Sequence, residues 1–193
     1  MKKIFAFIAA AFMAISASAQ SEAGSFTLQP NVGVTYTTAT GDGGKSVDGA
    51  FGLTAGVEGM YMANEQLGLA LGLNYTGYNV SKTFRKEDVV YSNYYFNIPV
   101  TANYYVAPGL ALKAGVAINL LSTAKVDGYD ETGSVKFKDF YKSTFFSIPV
   151  GASYEFNDFV FNLRYNFGVS NIQKGDDVDG SFNALTFTVG YKF

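Results

Sequence analysis

The sequence predicts an all-β fold, an eight-stranded antiparallel up-and-down β-barrel that spans a membrane. Three observations predict this fold: eight stretches alternate apolar with polar or small residues, each stretch has about 10 to 13 residues, and the connections between them are short and long in strict alternation. A period of two is the pattern of a β-strand with two different faces. The length fits the ~9–11 tilted residues that cross a bilayer and exceeds the ~5–6 residues of most strands in soluble proteins.

The last stretch, 181–193, shows the pattern most clearly. Its apolar face consists of large residues, namely Leu185, Phe187, Val189, Tyr191 and Phe193. A soluble protein seldom ends on such a strand, because an exposed apolar edge promotes aggregation. A membrane barrel requires such a strand, since its outside faces lipid and its last strand pairs with its first.

The same alternation recurs in seven earlier stretches. These are 26–36, 51–61, 67–76, 94–104, 110–120, 146–156 and 159–170. The short connections cover 63–66, 107–109 and 157–158, and the long connections cover 38–49, 81–88, 122–139 and 171–180. Outer-membrane barrels have short periplasmic turns and longer external loops, so we expect both termini on the periplasmic side.

One internal repeat marks two equivalent strands. The segments 96–104 (FNIPVTANY) and 146–154 (FSIPVGASY) share six of their nine residues. Each contains a proline, Pro99 or Pro149, which has no N–H for the sheet ladder, and a closed barrel has no edge strand to accommodate it. We therefore expect a bulge or a skipped hydrogen bond at both prolines.

The N-terminal stretch has the features of a secretory signal peptide. Two lysines precede an apolar run over 4–15, which is followed by an Ala-Ser-Ala cleavage site at 17–19. The apolar run is shorter than the ~20 residues that a transmembrane helix needs. We therefore expect a signal peptide over 1–19 and a barrel domain over 20–193.

Composition excludes several classes of function. Cysteine and histidine are absent, so the chain has neither a disulfide framework nor a catalytic pair built on histidine. The formal charge is −2, and removal of the two lysines in the signal peptide makes it −4. This negative charge argues against nucleic acid as a partner. We expect a protein that is not an enzyme and holds no cofactor.

The repeat and the terminal aromatic stripe resemble those of a known family. The chain is similar to the small eight-stranded outer-membrane barrels of Gram-negative bacteria, the OmpA/OmpX-like group. It is especially similar to the PorT-type outer membrane protein β-barrel family, in which an aromatic-x-Ile-Pro strand and a terminal aromatic residue recur. The resemblance covers the whole chain after the signal peptide. It implies that Phe187, Val189, Tyr191 and Phe193 form the signal that the barrel-assembly machinery reads.

Charged residues on the polar faces of the strands form the candidate site. Glu58, Lys113, Glu155 and Arg164 are predicted to point into the lumen. The lumen of an eight-stranded barrel is just wide enough for side chains to fill it. Because a charge within the bilayer thickness must be paired or hydrated, we expect these residues to form an ion-pair network that fills the lumen.

Three functions fit these features. The favoured one is a non-enzymatic structural or surface-interaction protein of the outer membrane, a monomer surrounded by lipid. The second is a narrow passive or gated channel, because small lumen residues such as Gly52, Gly72 and Gly115 leave room for water. The third is a soluble lipocalin-like carrier, in which the apolar faces line a ligand cavity.

The long connections are candidate contact surfaces for an extracellular partner. Their acidic residues do not follow the spacing of a calcium-binding loop, so solvated loops are the favoured interpretation. Lys82, Arg85 and Lys86 lie near the predicted outer rim and are candidates for contact with lipopolysaccharide phosphates.

Overall fold

The computed structural model describes residues 22–41, 47–84, 87–127, 142–172 and 180–193. The predicted signal peptide over 1–19 lies outside the described residues. Within these ranges the chain forms nine antiparallel strands. They are β1 (Phe26–Thr40), β2 (Asp48–Met62), β3 (Leu67–Gly77), β4 (Val80–Phe84), β5 (Glu87–Ala107), β6 (Leu110–Asp127), β7 (Thr144–Phe156), β8 (Phe159–Gly168) and β9 (Ser181–Tyr191). None of the described residues belongs to a helix that is long and apolar enough to cross a membrane.

The strands close into a barrel of eight staves, which confirms the predicted fold class. β3 and β4 form a single stave, because both pair with β2 on one side and with β5 on the other. The first and last strands also pair, from Asn31 with Gly190 to Thr40 with Ser181. This pairing closes the sheet, so the wall needs no free edge in the lipid.

The two ends of the barrel differ in their connections. At one end the strands are joined through 63–66, 108–109 and 157–158, and we call this the short-turn end. The opposite end carries the longer connections between β1 and β2, β6 and β7, and β8 and β9, and we call it the long-loop end. The start of β1 and the end of β9 both lie at the short-turn end, where they pair with each other.

The strands are staggered around the barrel axis. One line of paired residues runs through Thr35, Thr186, Arg164, Gly151, Lys113, Asn103, Gly68 and Met62. The line returns to β1 at Ser25, ten positions before its start, where the N–H of Met62 donates to the carbonyl of Ser25 at 2.9 Å. Such a stagger goes with strands tilted by roughly 35–45° and with an interior that side chains fill.

The wall is apolar outside and polar inside, as the alternation predicts. On the outer face Leu69, Val116, Phe161 and Phe187 are 51%, 62%, 38% and 42% exposed. On the inner face lie buried threonines, serines and asparagines together with a few charged residues. This orientation suits a wall in contact with hydrocarbon. It is the reverse of a soluble carrier, whose apolar residues line the cavity.

Both prolines of the repeat interrupt the sheet ladder on one side only. The pairing of β5 with β3 skips positions 98 and 99, and the pairing of β7 with β6 skips 148 and 149. The register is the same on both sides of each gap, and Pro99 and Pro149 stay paired with β6 and β8. The ladder therefore skips a hydrogen bond at each proline, which is one of the two predicted outcomes, and neither proline lies at a bulge.

The strands at the long-loop end extend further than the alternation predicts. β5 begins at Glu87, β6 runs to Asp127, and β4 occupies part of the predicted loop 81–88. In β6 the pattern is lost because the strand carries a bulge at Ser122, which shifts its pairing with β5 between Tyr94 and Tyr95. A bulge exchanges the two faces of a strand, so a strict period of two ends at that point.

Candidate functional site in the barrel lumen

Lys113 and Glu58 form a buried ion pair inside the barrel. Lys113 points inward from β6 and Glu58 from β2, and Nζ of Lys113 lies 2.6 Å from Oε1 of Glu58. Lys113 also donates a hydrogen bond to Oδ1 of Asn162 on β8, at 3.1 Å. The lysine thus links three staves, none of which neighbours another. Each charge of the pair has its counter-charge in a region where water has little access.

Arg164 is a second buried cation in the same part of the lumen. It lies on β8, two staves from Lys113, and Gly151 of β7 is paired with both residues. A side chain at Gly151 would meet the backbone of β8 at Leu163, so the two strands approach each other closely here. Nε of Arg164 has no hydrogen-bond partner among the described residues. A buried donor of this kind is ordinarily satisfied by water.

Glu155 lies apart from these charges, at the short-turn end. Its carboxylate accepts hydrogen bonds from Nζ of Lys192 and from the hydroxyl of Tyr105. These residues line an open cavity of about 760 Å³ that reaches the turns at Gln66 and Gly109. The structure therefore brings Glu58 and Lys113 into contact, and it places Glu155 in a separate group at the mouth of the barrel.

A polar layer centred on Asn119 lies further along the axis. Oδ1 of Asn119 accepts hydrogen bonds from Nδ2 of Asn97 at 2.7 Å and from the hydroxyl of Tyr78 at 3.1 Å, and its Nδ2 donates to Oγ of Ser147 at 3.0 Å. Hydroxyl pairs continue the layer on other staves, namely Thr54 with Thr76 at 2.8 Å and Thr35 with Thr186 at 3.3 Å. These groups satisfy one another within the lumen. Within the described ranges no group of His, Cys, Asp or Glu side chains is arranged to hold a metal ion.

Four aromatic rings occupy the lumen at the long-loop end, and we call them the aromatic cluster. They are Tyr78, Tyr95, Phe145 and Phe182, and each is at most 2% exposed. All six ring-to-ring centroid distances lie between 5.0 and 6.4 Å. The apolar residues packed around them are Ala39, Val47, Val80, Tyr91, Leu121, Ala124, Ile172 and Ala184. Every stave except that of β8 contributes a residue from its strand or from the position adjoining it, and Ile172 comes from the connection that follows β8.

Sequence reasoning missed the aromatic cluster, although the sequence contains a signal for it. In Tyr94-Tyr95 and Phe145-Phe146 two bulky rings follow each other, so one ring of each pair must point into the lumen. Phe182 likewise stands on the face of β9 that otherwise carries small or polar residues. The sequence prediction considered the large residues of the outer face only, so it did not include Tyr95, Phe145 and Phe182.

The predicted assembly signal lies along the seam where the barrel closes. Phe187, Val189 and Tyr191 lie on the outer face of β9, and the ring of Tyr191 is 4.8 Å from that of Phe193. The N–H of Phe193 donates to the carbonyl of Leu28 at 2.9 Å, and the N–H of Leu28 donates back to Phe193 at 3.2 Å. These backbone bonds extend the pairing of β1 with β9 to the short-turn rim.

Most of the predicted loop contacts lie outside the described residues. Arg85 and Lys86 belong to this group, as do the acidic residues Asp42, Asp130, Glu131, Asp176, Asp177 and Asp179. Lys82 is described, and it lies on β4 at the long-loop end.

Known proteins share this architecture. A structure of Neisserial surface protein A (NspA) is 20% identical, with a TM-score of 0.53 over 89% of this chain and 100% of that chain. Ail of Yersinia pestis, in complex with the heparin analogue sucrose octasulfate, is 16% identical, with a TM-score of 0.53 over 87% of this chain and 99% of that chain. At these identities the likeness concerns the fold. None of the curated proteins compared with the sequence matches it.

A family model places the chain more specifically. The model described as "Outer membrane protein beta-barrel domain" matches residues 5–193, nearly the whole sequence. The closed wall, its outward apolar face and this match agree with one another. The chain belongs to the outer membrane protein β-barrel domain family, and it is a protein of the outer membrane.

Proposed function

We propose that this protein is a non-enzymatic outer-membrane barrel whose lumen is filled by side chains and whose role is structural or one of surface interaction. The aromatic cluster carries this proposal, because four buried rings from separate staves meet within the lumen. The polar layer below it and the Lys113–Glu58 pair occupy further levels of the same lumen. These levels together fill the middle of the lumen, and the absence of histidine removes the usual general base.

The proposal includes the orientation and assembly of the barrel. The short-turn end, with both termini, faces the periplasm, and the long loops face the outside, as is usual for barrels with this pattern of connections. Phe187, Val189, Tyr191 and Phe193 act as the signal for the barrel-assembly machinery, and their position on the closing seam supports this role. The folded barrel is a monomer surrounded by lipid.

The partner of the long loops is proposed from their charge. The predicted connections 38–49, 81–88, 122–139 and 171–180 contain eight Lys or Arg and eleven Asp or Glu residues. Ail is known in complex with a heparin analogue, but a net negative loop surface is poorly suited to a polyanion of that kind. We therefore propose a neutral or cationic surface partner, with contact to lipopolysaccharide phosphate limited to the basic group at Lys82, Arg85 and Lys86.

A narrow channel is the second candidate function. Polar atoms in the lumen that have no protein partner among the described residues favour it, namely Nε2 of Gln29, Oδ1 of Asn31, Nε of Arg164 and Oδ1 of Asn166. Such atoms are ordinarily satisfied by water, and a water-filled path through the lumen is the first requirement of a channel.

Electrical recording separates the two functions. Purified, refolded protein is incorporated into a planar lipid bilayer, and its insertion is verified by protease protection in matched vesicles. A filled lumen gives no discrete conductance steps over a voltage series. Reproducible steps from the unmodified protein would contradict the proposed closed lumen and establish the channel.

A further inference from the structure

The aromatic cluster lies at the centre of the barrel rather than against one side of its wall. Tyr78 belongs to the stave of β3 and β4, Tyr95 to β5, Phe145 to β7 and Phe182 to β9. Only Tyr78 and Tyr95 come from neighbouring staves, yet their distance of 5.6 Å is no shorter than that of 5.0 Å between Tyr95 and Phe145. Rings from non-neighbouring staves can approach this closely only if they meet near the axis.

The interior changes character below the cluster. On the short-turn side of the rings come the Asn119 layer and the Lys113–Glu58 pair, both of which are polar, and then a smaller apolar cluster of Met60, Met62 and Ala70 near the short-turn end. Several buried polar atoms in that region have no hydrogen-bond partner among the described residues. An apolar constriction opposes the passage of ions, because it removes their hydration and offers no replacement for it.

We propose that the aromatic cluster is the permeability seal of this barrel at its long-loop end, and that it keeps ions away from the buried polar and charged groups beneath it. Loss of the seal would admit ions to the lumen from the long-loop end, and the buried charges that they would then approach are Arg164, Lys113 and Glu58. This inference rests on the closed lumen of the proposed function and assigns the closure to four side chains.

The matching experiment opens the seal and compares it with equal changes on the outer face. The test variant is Phe145→Ala/Phe182→Ala. Its control is Phe146→Ala/Phe167→Ala, which removes two rings of the same size from the lipid-facing side. Folding of each variant is verified by the shift in gel mobility between unboiled and boiled samples. Conductance is then recorded in planar bilayers at equal protein density.

The outcomes separate the seal from the proposed function. We expect no conductance steps from the unmodified protein or from the control, and discrete conductance steps from the test variant. If a folded test variant shows no conductance, the aromatic cluster is not the seal, and the proposal of a closed lumen is unaffected. Steps from the unmodified protein overturn both. If the double variant fails to fold, Phe182→Ala and Tyr78→Ala are measured singly against Phe167→Ala, with the same expected contrast.

A chemical measurement reports on the same seal without electrical recording. The chain has no cysteine, so Thr186→Cys places a single thiol on the inward face of β9, four residues below Phe182. A charged, membrane-impermeant thiol reagent is added to intact cells. We expect slow labelling in the unmodified background and at least a tenfold faster rate when Phe145→Ala/Phe182→Ala is added. Equal rates in the two backgrounds would contradict the seal.

Discussion

Nζ of Lys113 on β6 lies 2.6 Å from Oε1 of Glu58 on β2, although the staves of β3 and β5 separate the two strands. The contact therefore crosses the lumen instead of running along the wall. Both side chains are buried, so neither charge can replace its partner by bulk water. The pair thus ties opposite walls together, and removal of either member leaves an isolated charge inside the bilayer thickness.

Substitution of Lys113 is the direct test of this tie. We expect Lys113→Met to lower the free energy of unfolding by about 3–5 kcal/mol, the range found when one partner of a buried pair is removed. The measurement is reversible urea unfolding in lipid vesicles. The double variant Lys113→Met/Glu58→Gln removes both charges and should recover most of the loss. Equal losses in the single and double variants would show that the cross-lumen pair has no special role.

The pair at the short-turn end should respond less. Lys192 and Glu155 border an open cavity, and the hydroxyl of Tyr105 gives the carboxylate a second donor. We expect Lys192→Met to lower the free energy of unfolding by less than Lys113→Met does, between the ~0–1 kcal/mol of exposed pairs and the ~3–5 kcal/mol of buried ones. The same urea titration measures both variants. A larger fall in the free energy of unfolding for Lys192→Met than for Lys113→Met would contradict this prediction.

A charge on the outer face tests the orientation of the wall. Val116 lies midway along the barrel part of β6 and points outward. An arginine near the bilayer midplane destabilises a membrane barrel by about 2–4 kcal/mol, and we expect Val116→Arg to fall in this range. Val116→Leu, which keeps the face apolar, serves as the matched control and should change the free energy of unfolding little. A wild-type value for Val116→Arg would be incompatible with a lipid-facing position.

The fold was predictable because its strongest constraint is periodic. A wall with lipid outside and polar groups inside imposes a period of two on every stave, and residues such as Leu69 and Phe161 record it directly. The skipped pairing at Pro99 and Pro149 was also predictable, since proline lacks a ladder donor in any strand. Local chemistry decides these features, so a single sequence is enough to find them.

The arrangement inside the lumen was less predictable, because it depends on register and stagger. The inward direction of Glu155 follows from alternation, but its height along the axis places it with Lys192 and not with Glu58. Phe145 and Phe182 meet at 6.1 Å only because β7 and β9 are offset by a definite number of residues. Stagger is a property of the closed barrel, so it cannot be predicted from the alternation within one strand.

A substitution at Phe193 distinguishes two roles of the terminal ring, namely recognition during assembly and stability of the finished barrel. Its backbone forms two hydrogen bonds with Leu28, and its ring packs against Tyr191. Phe193→Ala keeps the backbone bonds and removes the ring, so we expect a fall in stability of only about 0.5–1.5 kcal/mol, as for the loss of an aromatic pair. If the ring is also part of the assembly signal, the amount of folded protein in the outer membrane should fall severalfold. The two quantities are measured by urea unfolding of refolded protein and by heat-modifiable gel mobility of cell envelopes.

The control is Phe159→Ala, which removes another aromatic ring at the same rim. It should reduce stability without a matching loss of assembly. Full assembly of Phe193→Ala in cells would remove the terminal ring from the signal.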